Sequence, residues 1–220
     1  MLQKHLADNT NEHSIAVRLR RERFKILINM LNTLPHPISI LDIGGTAGYW
    51  EMMGAKRFWG NEIQITLLNV EVQSVSLPGF RAITGDGRSM PQFVNGQFDV
   101  VFSNSTIEHV GSVADQRQMA EEVRRVGRRY YVQTPNRYFP IEPHFVFPFF
   151  QFLPIALRVW LLQHFNLGWH PKTPDRQRAL SEVTSIRLLT KAELHHLFPN
   201  ATLFEEKFLG LVKSFVAYTP

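Results

Sequence analysis

The feature that most limits what this chain can fold into is the run Ile38-Ser39-Ile40-Leu41-Asp42-Ile43, followed at once by Gly44-Gly45-Thr46-Ala47-Gly48. A short apolar run that ends in glycines reads as a buried strand, a tight turn and then a helix. Glycines there let a ligand lie against bare backbone. Further strand-like runs follow at Ile63–Val70, Phe80–Thr84, Phe98–Ser103 and Arg129–Gln133, with Met119, Ala120, Val123 and Val126 spaced as one helix face between the last two. Strands alternating with helices imply right-handed crossovers and a mostly parallel sheet covered on both faces, which binds ligands beyond the carboxyl ends of its strands. Two nucleotide signatures are absent. Counting from Gly44, Thr46 and Tyr49 occupy the later glycine positions of G-x-G-x-x-G, and no Gly-Lys-Ser/Thr follows.

The flanks extend this frame. Phe24, Leu27, Ile28, Leu31 and Leu34 predict an amphipathic helix over Ser14–Leu34, stopped by Pro35 and Pro37. Its Arg18, Arg20, Arg21, Arg23 and Lys25 point all round the helix, with Glu22 four residues after Arg18 as an ion-pair partner, so the basic residues read as solvated surface. After Pro135 the composition changes: eight of the 25 residues from Phe145 to Trp169 are aromatic, against 12% in the whole chain, which marks a cap or insertion. Thr190-Lys191-Ala192-Glu193 is a capping box for a helix ending near Pro199, and Ala201–Phe208 and Leu211–Tyr218, separated by Gly210, predict a terminal hairpin. The 220 residues read as one domain over 1–220, with an N-terminal helical segment at 1–36 and the cap at 137–187.

Cysteine is absent, which removes disulfides, thiolate metal sites and cysteine nucleophiles. A net charge of +5 favours polyanions only if it is concentrated on one surface. The terminus MLQKHLADNTNEHS has no apolar leader core, and Pro148, Gln151, Pro154 and Arg158 break the richest apolar stretch, so a cytoplasmic location is expected.

Four features in order, LDIGGTAG at residues 41–48, a polar or acidic end to the second strand, Gly85-Asp86, and FDVVFSNSTIEHV from Phe98, carry a resemblance to class I S-adenosylmethionine-dependent methyltransferases. It spans roughly Ile40 to Asn136. It implies a Rossmann-like α/β fold: a seven-stranded sheet, mostly parallel with a C-terminal antiparallel hairpin, helices on both faces and the aromatic cap after the fifth strand. It also implies S-adenosylmethionine as cofactor. Gly44, Gly45, Thr46 and Gly48 would then line its methionine and ribose side, with Asp42 organising the turn or reaching the ammonium through water. Asn69 aligns best with the family's ribose acceptor, whereas Glu71 has the expected charge. Asp86 would accept from the adenine amino group, Gly87 would offer its N–H to the ring, and Ser103 and Asn104 would lie beside the methyl. Thr46 stands where the family has glycine.

Methyl transfer to a hydroxyl needs alignment and removal of one proton, a task that suits histidine. His109 after the fourth strand and His144 after the fifth are the candidates for that base. No metal is expected, because Glu108-His109 and His195-His196 are adjacent pairs and helix neighbours diverge. The acceptor is expected to be a small or lipid-like molecule, with oxygen ahead of nitrogen. The cap would be a lid, a packed cover or a peripheral membrane contact. The missing Asn/Asp-Pro-Pro-Tyr motif and the missing cysteine argue against nucleic acid as acceptor, and oligomeric state stays open. The other reading is a catalytically inactive methyltransferase-fold module that binds RNA through the arginine-rich first helix.

Overall fold

The computed structural model describes residues 15–54 and 62–220. The N-terminal residues read above for a leader, and the first 14 residues of the 1–36 segment, lie outside them.

The described chain opens with helix α1 (Ile15–Leu31) and enters β1 (Ile38–Ile43), α2 (Ala47–Met52), β2 (Ile63–Asn69), β3 (Phe80–Thr84) and β4 (Phe98–Asn104). A 3-10 turn at Ile107–His109 leads into α3 (Val113–Val126) and β5 (Gly127–Pro135). A short hairpin, β6 (Ile141–Glu142) and β7 (Phe147–Pro148), then precedes α4 (Ile155–His164) and α5 (Arg176–Thr184). The chain ends with α6 (Lys191–Leu197), β8 (Thr202–Phe208) and β9 (Leu211–Tyr218).

The main sheet has seven strands in the order β3-β2-β1-β4-β5-β9-β8. The first five run parallel and β9 is antiparallel to both β5 and β8. The order reverses between β1 and β4, so their carboxyl ends flank the crevice where ligands bind in such sheets. Because β1 and β4 are central, they read as nearly continuous apolar runs rather than alternating ones.

Two cores cover the two faces. On one, Phe24, Leu27 and Leu31 of α1 and Trp50 of α2 pack on Ile40, Leu67, Val100 and Phe102. On the other, Met119, Ala120 and Val123 of α3 and Leu194 of α6 pack on Leu41, Leu68, Val101 and Val132. Capping boxes start α3 (Ser112 with Asp115) and α6 (Thr190 with Glu193), the latter as the sequence predicts.

The basic first helix is only partly a solvated surface. Arg23 is 5% exposed and donates from Nη1 to Glu206 Oε2 at 2.9 Å and Ser214 Oγ at 3.2 Å, clamping α1 to the terminal hairpin. Glu22 takes Lys25 as partner, at 2.8 Å, in place of Arg18. Residue 23 lies on the same stripe as Leu27 and Met30 and must find a buried carboxylate.

The segment after β5 leaves the sheet, and its two ends meet where Asn136 and Leu189 form a parallel bridge. Between them the cap has a core of its own: Phe145, Phe150, Val159, Leu162, Leu167, Ala179 and Val183. Phe145 stacks on Phe150 at 4.2 Å and on His170 at 4.4 Å. Other cap aromatics remain outside, with Phe149, Phe152, Trp160, Phe165 and Trp169 all exposed. Among the described residues no helix is long and apolar enough to cross a membrane.

Candidate active site

The glycine turn is held by its own neighbours. Gly44 has φ +77°, a conformation costly for other residues, and its N–H donates to Leu68 O at 2.8 Å. A Cβ at Gly44 would lie 2.4 Å from Thr106 Oγ1, and one at Gly45 would lie 1.7 Å from Asp42 Oδ2. Gly48 differs: a Cβ there meets nothing within 4 Å, so open space begins at this residue. Thr46 caps α2, its side chain accepting from Tyr49 N–H. A residue that departs from the family pattern thus has a local task.

Asp42 is fully buried. Its Oδ2 accepts from Trp50 Nε1 at 2.7 Å, while Oδ1 has no partner. Burial pushes its pKa up to about 7, with the Trp50 bond opposing. Ser103 Oγ and Asn104 Oδ1, at the end of β4, are also buried without partners. Asn69 Nδ2 donates to Gly45 O at 3.0 Å, joining the end of β2 to the turn, and Glu71 is exposed two residues further on.

After β3, Arg88 grips Asp86. Its Nε and Nη2 donate to the carboxylate at 2.7–3.0 Å, its backbone N–H donates to Oδ1 at 2.9 Å, and Nη1 reaches Asp115 at 3.0 Å. The Arg88 hydrogen bonds hold the Asp86 pKa below its ordinary value, so the group is an ionised acceptor. Gly87 is buried, and a Cβ there would strike Ile43 Cγ2 at 2.7 Å.

A second cluster forms where β4 and β5 end. Ser105 adopts φ 55° and donates from Oγ to Gln133 Oε1 at 2.8 Å, turning the chain into the 3-10 turn. That turn buries Glu108 completely. Thr134 Oγ1 donates to its Oε2 at 3.0 Å, and Oε1 has no partner. His109 stands edge-to-face with His144 at 4.7 Å between ring centroids. His144 Nδ1 lies 2.6 Å from Glu142 Oε1, and Glu142 Oε2 accepts the backbone N–H groups of His144 and Phe145.

Burial raises the Glu108 pKa to about 7, opposed by the nearby His144 charge. For His109, burial of the ring's packed side and the His144 charge lower the pKa to about 4. Burial pushes His144 down, but its bond to Glu142 and the charges of Glu142 and Glu108 outweigh it, so its pKa is raised. Beside this cluster, within the cap, lies a cavity of about 230 Å³ lined by Glu142, Arg137, Arg158, Arg187, Gln151 and Phe150, among others. Arg158 Nε and Gln151 Oε1 are buried without partners.

Residues 41–129 match the family model described as a methyltransferase domain. Over these residues the chain carries the sequence of a methyltransferase domain. No curated protein matches the sequence. Among solved structures, a SAM-dependent methyltransferase from Aquifex aeolicus shares 12% identity at TM-score 0.51, over 90% of this chain and 87% of that one. Magnesium protoporphyrin IX methyltransferase from Synechocystis with bound SAH shares 10% at TM-score 0.52, over 91% and 82%. A possible exported protein from Bordetella parapertussis shares 13% at TM-score 0.55, over 94% and 70%. At such identities the likenesses show a common fold.

S-adenosylmethionine is the cofactor that this domain indicates, and the residues present fit it. Asp42 Oδ1, Ser103 Oγ and Asn104 Oδ1 are orphaned polar atoms at the carboxyl ends of the two central strands, as a site awaiting a polar ligand requires. Gly48 supplies the room and Asp86 an ionised acceptor.

Sequence reasoning treats each histidine separately and misses their company. Glu142 is the clearest omission, and its signal is the Glu-Pro-His-Phe order, which lets one carboxylate accept the two following N–H groups and the ring. The expectation that Glu108 and His109 diverge holds in an α-helix. Here Glu108 and His109 are neighbours in a 3-10 turn, His144 reaches them from another loop, and one ligand atom of each lies within 4.8 Å of the others.

Proposed function

We propose that this methyltransferase moves the methyl group of S-adenosylmethionine to a hydroxyl oxygen of a small or lipid-like acceptor. The observation that carries this reading is the acid–imidazole cluster of buried Glu108 and Glu142 with His109 and His144, where β4 and β5 end beside the donor turn. Transfer is an in-line displacement at carbon, so the chain must align the acceptor, exclude water and deal with one proton. His109 and His144 are the residues for that proton, with Glu142 orienting His144.

On the donor side, Gly44, Gly45 and Gly48 give backbone access, and Asp42, Ser103 and Asn104 meet the amino-acid end. Asn69 spends its amide N–H₂ on Gly45 O and is a positioning residue. The exposed Glu71 is then the acceptor for the ribose hydroxyls. Asp86 receives the adenine amino group and Gly87 N–H faces the ring. The cap cavity suits an acceptor with an apolar body and an acidic group, given Phe150 beside Arg137 and Arg158. The exposed cap aromatics suit collection from a lipid surface.

The RNA-binding alternative is not favoured, because Arg23 of the basic helix is committed to Glu206. The test is a radiolabelled methyl-transfer assay against hydroxylated acyl and aromatic carboxylic acids, with amines as the comparison. Transfer to hydroxyls that is lost in His144→Ala supports the reading, and transfer confined to amines contradicts it.

A further inference from the structure

We propose that Glu108, His109 and His144 form a binding site for one divalent first-row transition-metal ion of the zinc type. One ligand atom from each residue lies within 4.8 Å of the other two. A tetrahedral ion with bonds of roughly 2.0–2.1 Å sets its donors about 3.4 Å apart, so no pair needs to close by more than about 1.4 Å. Ring rotation of the exposed His109 and the half-buried His144 supplies this.

Three independent features point at an ion rather than at a mere packing of rings. First, Glu108 is 0% exposed, with Oε2 tied to Thr134 and Oε1 without a partner, so a bare carboxylate oxygen is buried beside two imidazoles. Second, Glu142 holds His144 Nδ1 at 2.6 Å and is itself fixed by two backbone N–H groups. This is the carboxylate–histidine arrangement that sets a tautomer and leaves Nε2 as the free donor. Third, two carboxylates, at 0% and 2% exposure, sit around two imidazoles; among the described residues no lysine or arginine hydrogen-bonds to Glu108, and Glu142 has only the unbonded charge of Arg158 nearby, so a divalent cation would balance the pair.

The donor set of two imidazoles and one carboxylate suits zinc, cobalt or manganese better than magnesium or calcium, which prefer all-oxygen shells. Three protein ligands leave a position open, the pattern of a site that receives substrate. A hydroxyl bound there would lose its proton more readily, so the ion would be the means by which the cluster activates the acceptor. That catalytic role rests on the methyl-transfer reading above, whereas the binding itself does not.

The test is calorimetric titration of the chelator-treated full chain with Zn²⁺, and with Co²⁺ followed by its ligand-field absorption. Mg²⁺ serves as the comparison ion, and S-adenosylhomocysteine is titrated in parallel. We expect one equivalent of Zn²⁺ and of Co²⁺. Affinity should fall at least about 100-fold in His144→Ala and in His109→Ala, and about 10- to 100-fold in Glu142→Gln, where only the residue behind the ligand changes. His109 is exposed, so His109→Ala should fold, as circular dichroism and an unchanged S-adenosylhomocysteine titration would report. Zn²⁺ uptake that is equal in wild type and His109→Ala overturns the proposal, as does uptake of Mg²⁺ as tight as that of Zn²⁺. Absence of Zn²⁺ binding in the wild-type chain, with S-adenosylhomocysteine binding intact, fells the ion site alone. Zn²⁺ binding without S-adenosylhomocysteine binding fells the methyl-donor reading alone.

Discussion

At the donor turn, added carbon atoms at Gly44 and Gly45 would collide with side chains 2.4 Å and 1.7 Å away, so the backbone path has no slack. The cap, by contrast, meets the body through contacts such as Arg187 N–H to Glu108 O at 2.8 Å, keeps its own small core and leaves six large aromatics exposed, Tyr138 among them. The two regions differ in how they are specified. The donor side is built from residues close in sequence to a strand end, and backbone sterics settle it. The acceptor side is assembled across long separations: Thr134 meets Glu108, and His144 meets His109. A catalyst of one cofactor and variable acceptors needs that division, a rigid half for the constant partner and a semi-independent half for the other.

Mutations sharpen the contrast, and the largest effect should come at the tightest contact. Gly45→Val drives a branched side chain into buried Asp42. It should cost about 3 kcal/mol or more by urea unfolding and abolish S-adenosylhomocysteine binding. Phe145→Ala empties the centre of the cap core and should also cost about 3 kcal/mol. Here, however, donor affinity should stay within about threefold, or about 0.7 kcal/mol, while methyl transfer collapses. If donor affinity falls as far as transfer does, the halves are not separate.

Asp42 supplies a pH test. Its folded pKa, raised to about 7, lies above the ordinary carboxylate value, so the folded state holds a proton that the unfolded chain has released. Its contribution to stability is therefore fully present below about pH 4 and is lost as pH rises to about 7, with a slope of at most about 1.4 kcal/mol per pH unit. Asp42→Asn keeps an oxygen for Trp50 Nε1 and should flatten that part of the stability profile, measured by unfolding at each pH. The smallest effect on folding belongs to Trp160→Ala. Trp160 is 48% exposed, so stability should move by only about 0.5 kcal/mol. Sedimentation with anionic lipid vesicles should nevertheless fall, and unchanged sedimentation would remove the lipid-surface role of the cap.

The same division explains what could be read without coordinates. The strands, the glycine turn, the Thr190 capping box and the terminal hairpin were legible because periodicity and turn chemistry are local. Arg23 was not, since its burial depends on Glu206, 183 residues away. Nor was the bond from Asn69 Nδ2 to Gly45 O, which joins a strand end to a turn 24 residues earlier in the chain. The Glu108–His109–His144 grouping was hidden because its third member comes from beyond the next strand.

The central claim is that S-adenosylmethionine occupies the space opening at Gly48, and a calorimetric titration of Gly48→Leu with S-adenosylhomocysteine tests it most directly. Nothing lies within 4 Å of a Cβ at this position, and leucine favours the helix over glycine by up to about 0.8 kcal/mol, so the variant should be as stable as the parent or more so. The account predicts wild-type binding of one equivalent and no measurable binding in this well-folded variant. Wild-type affinity in Gly48→Leu would contradict it.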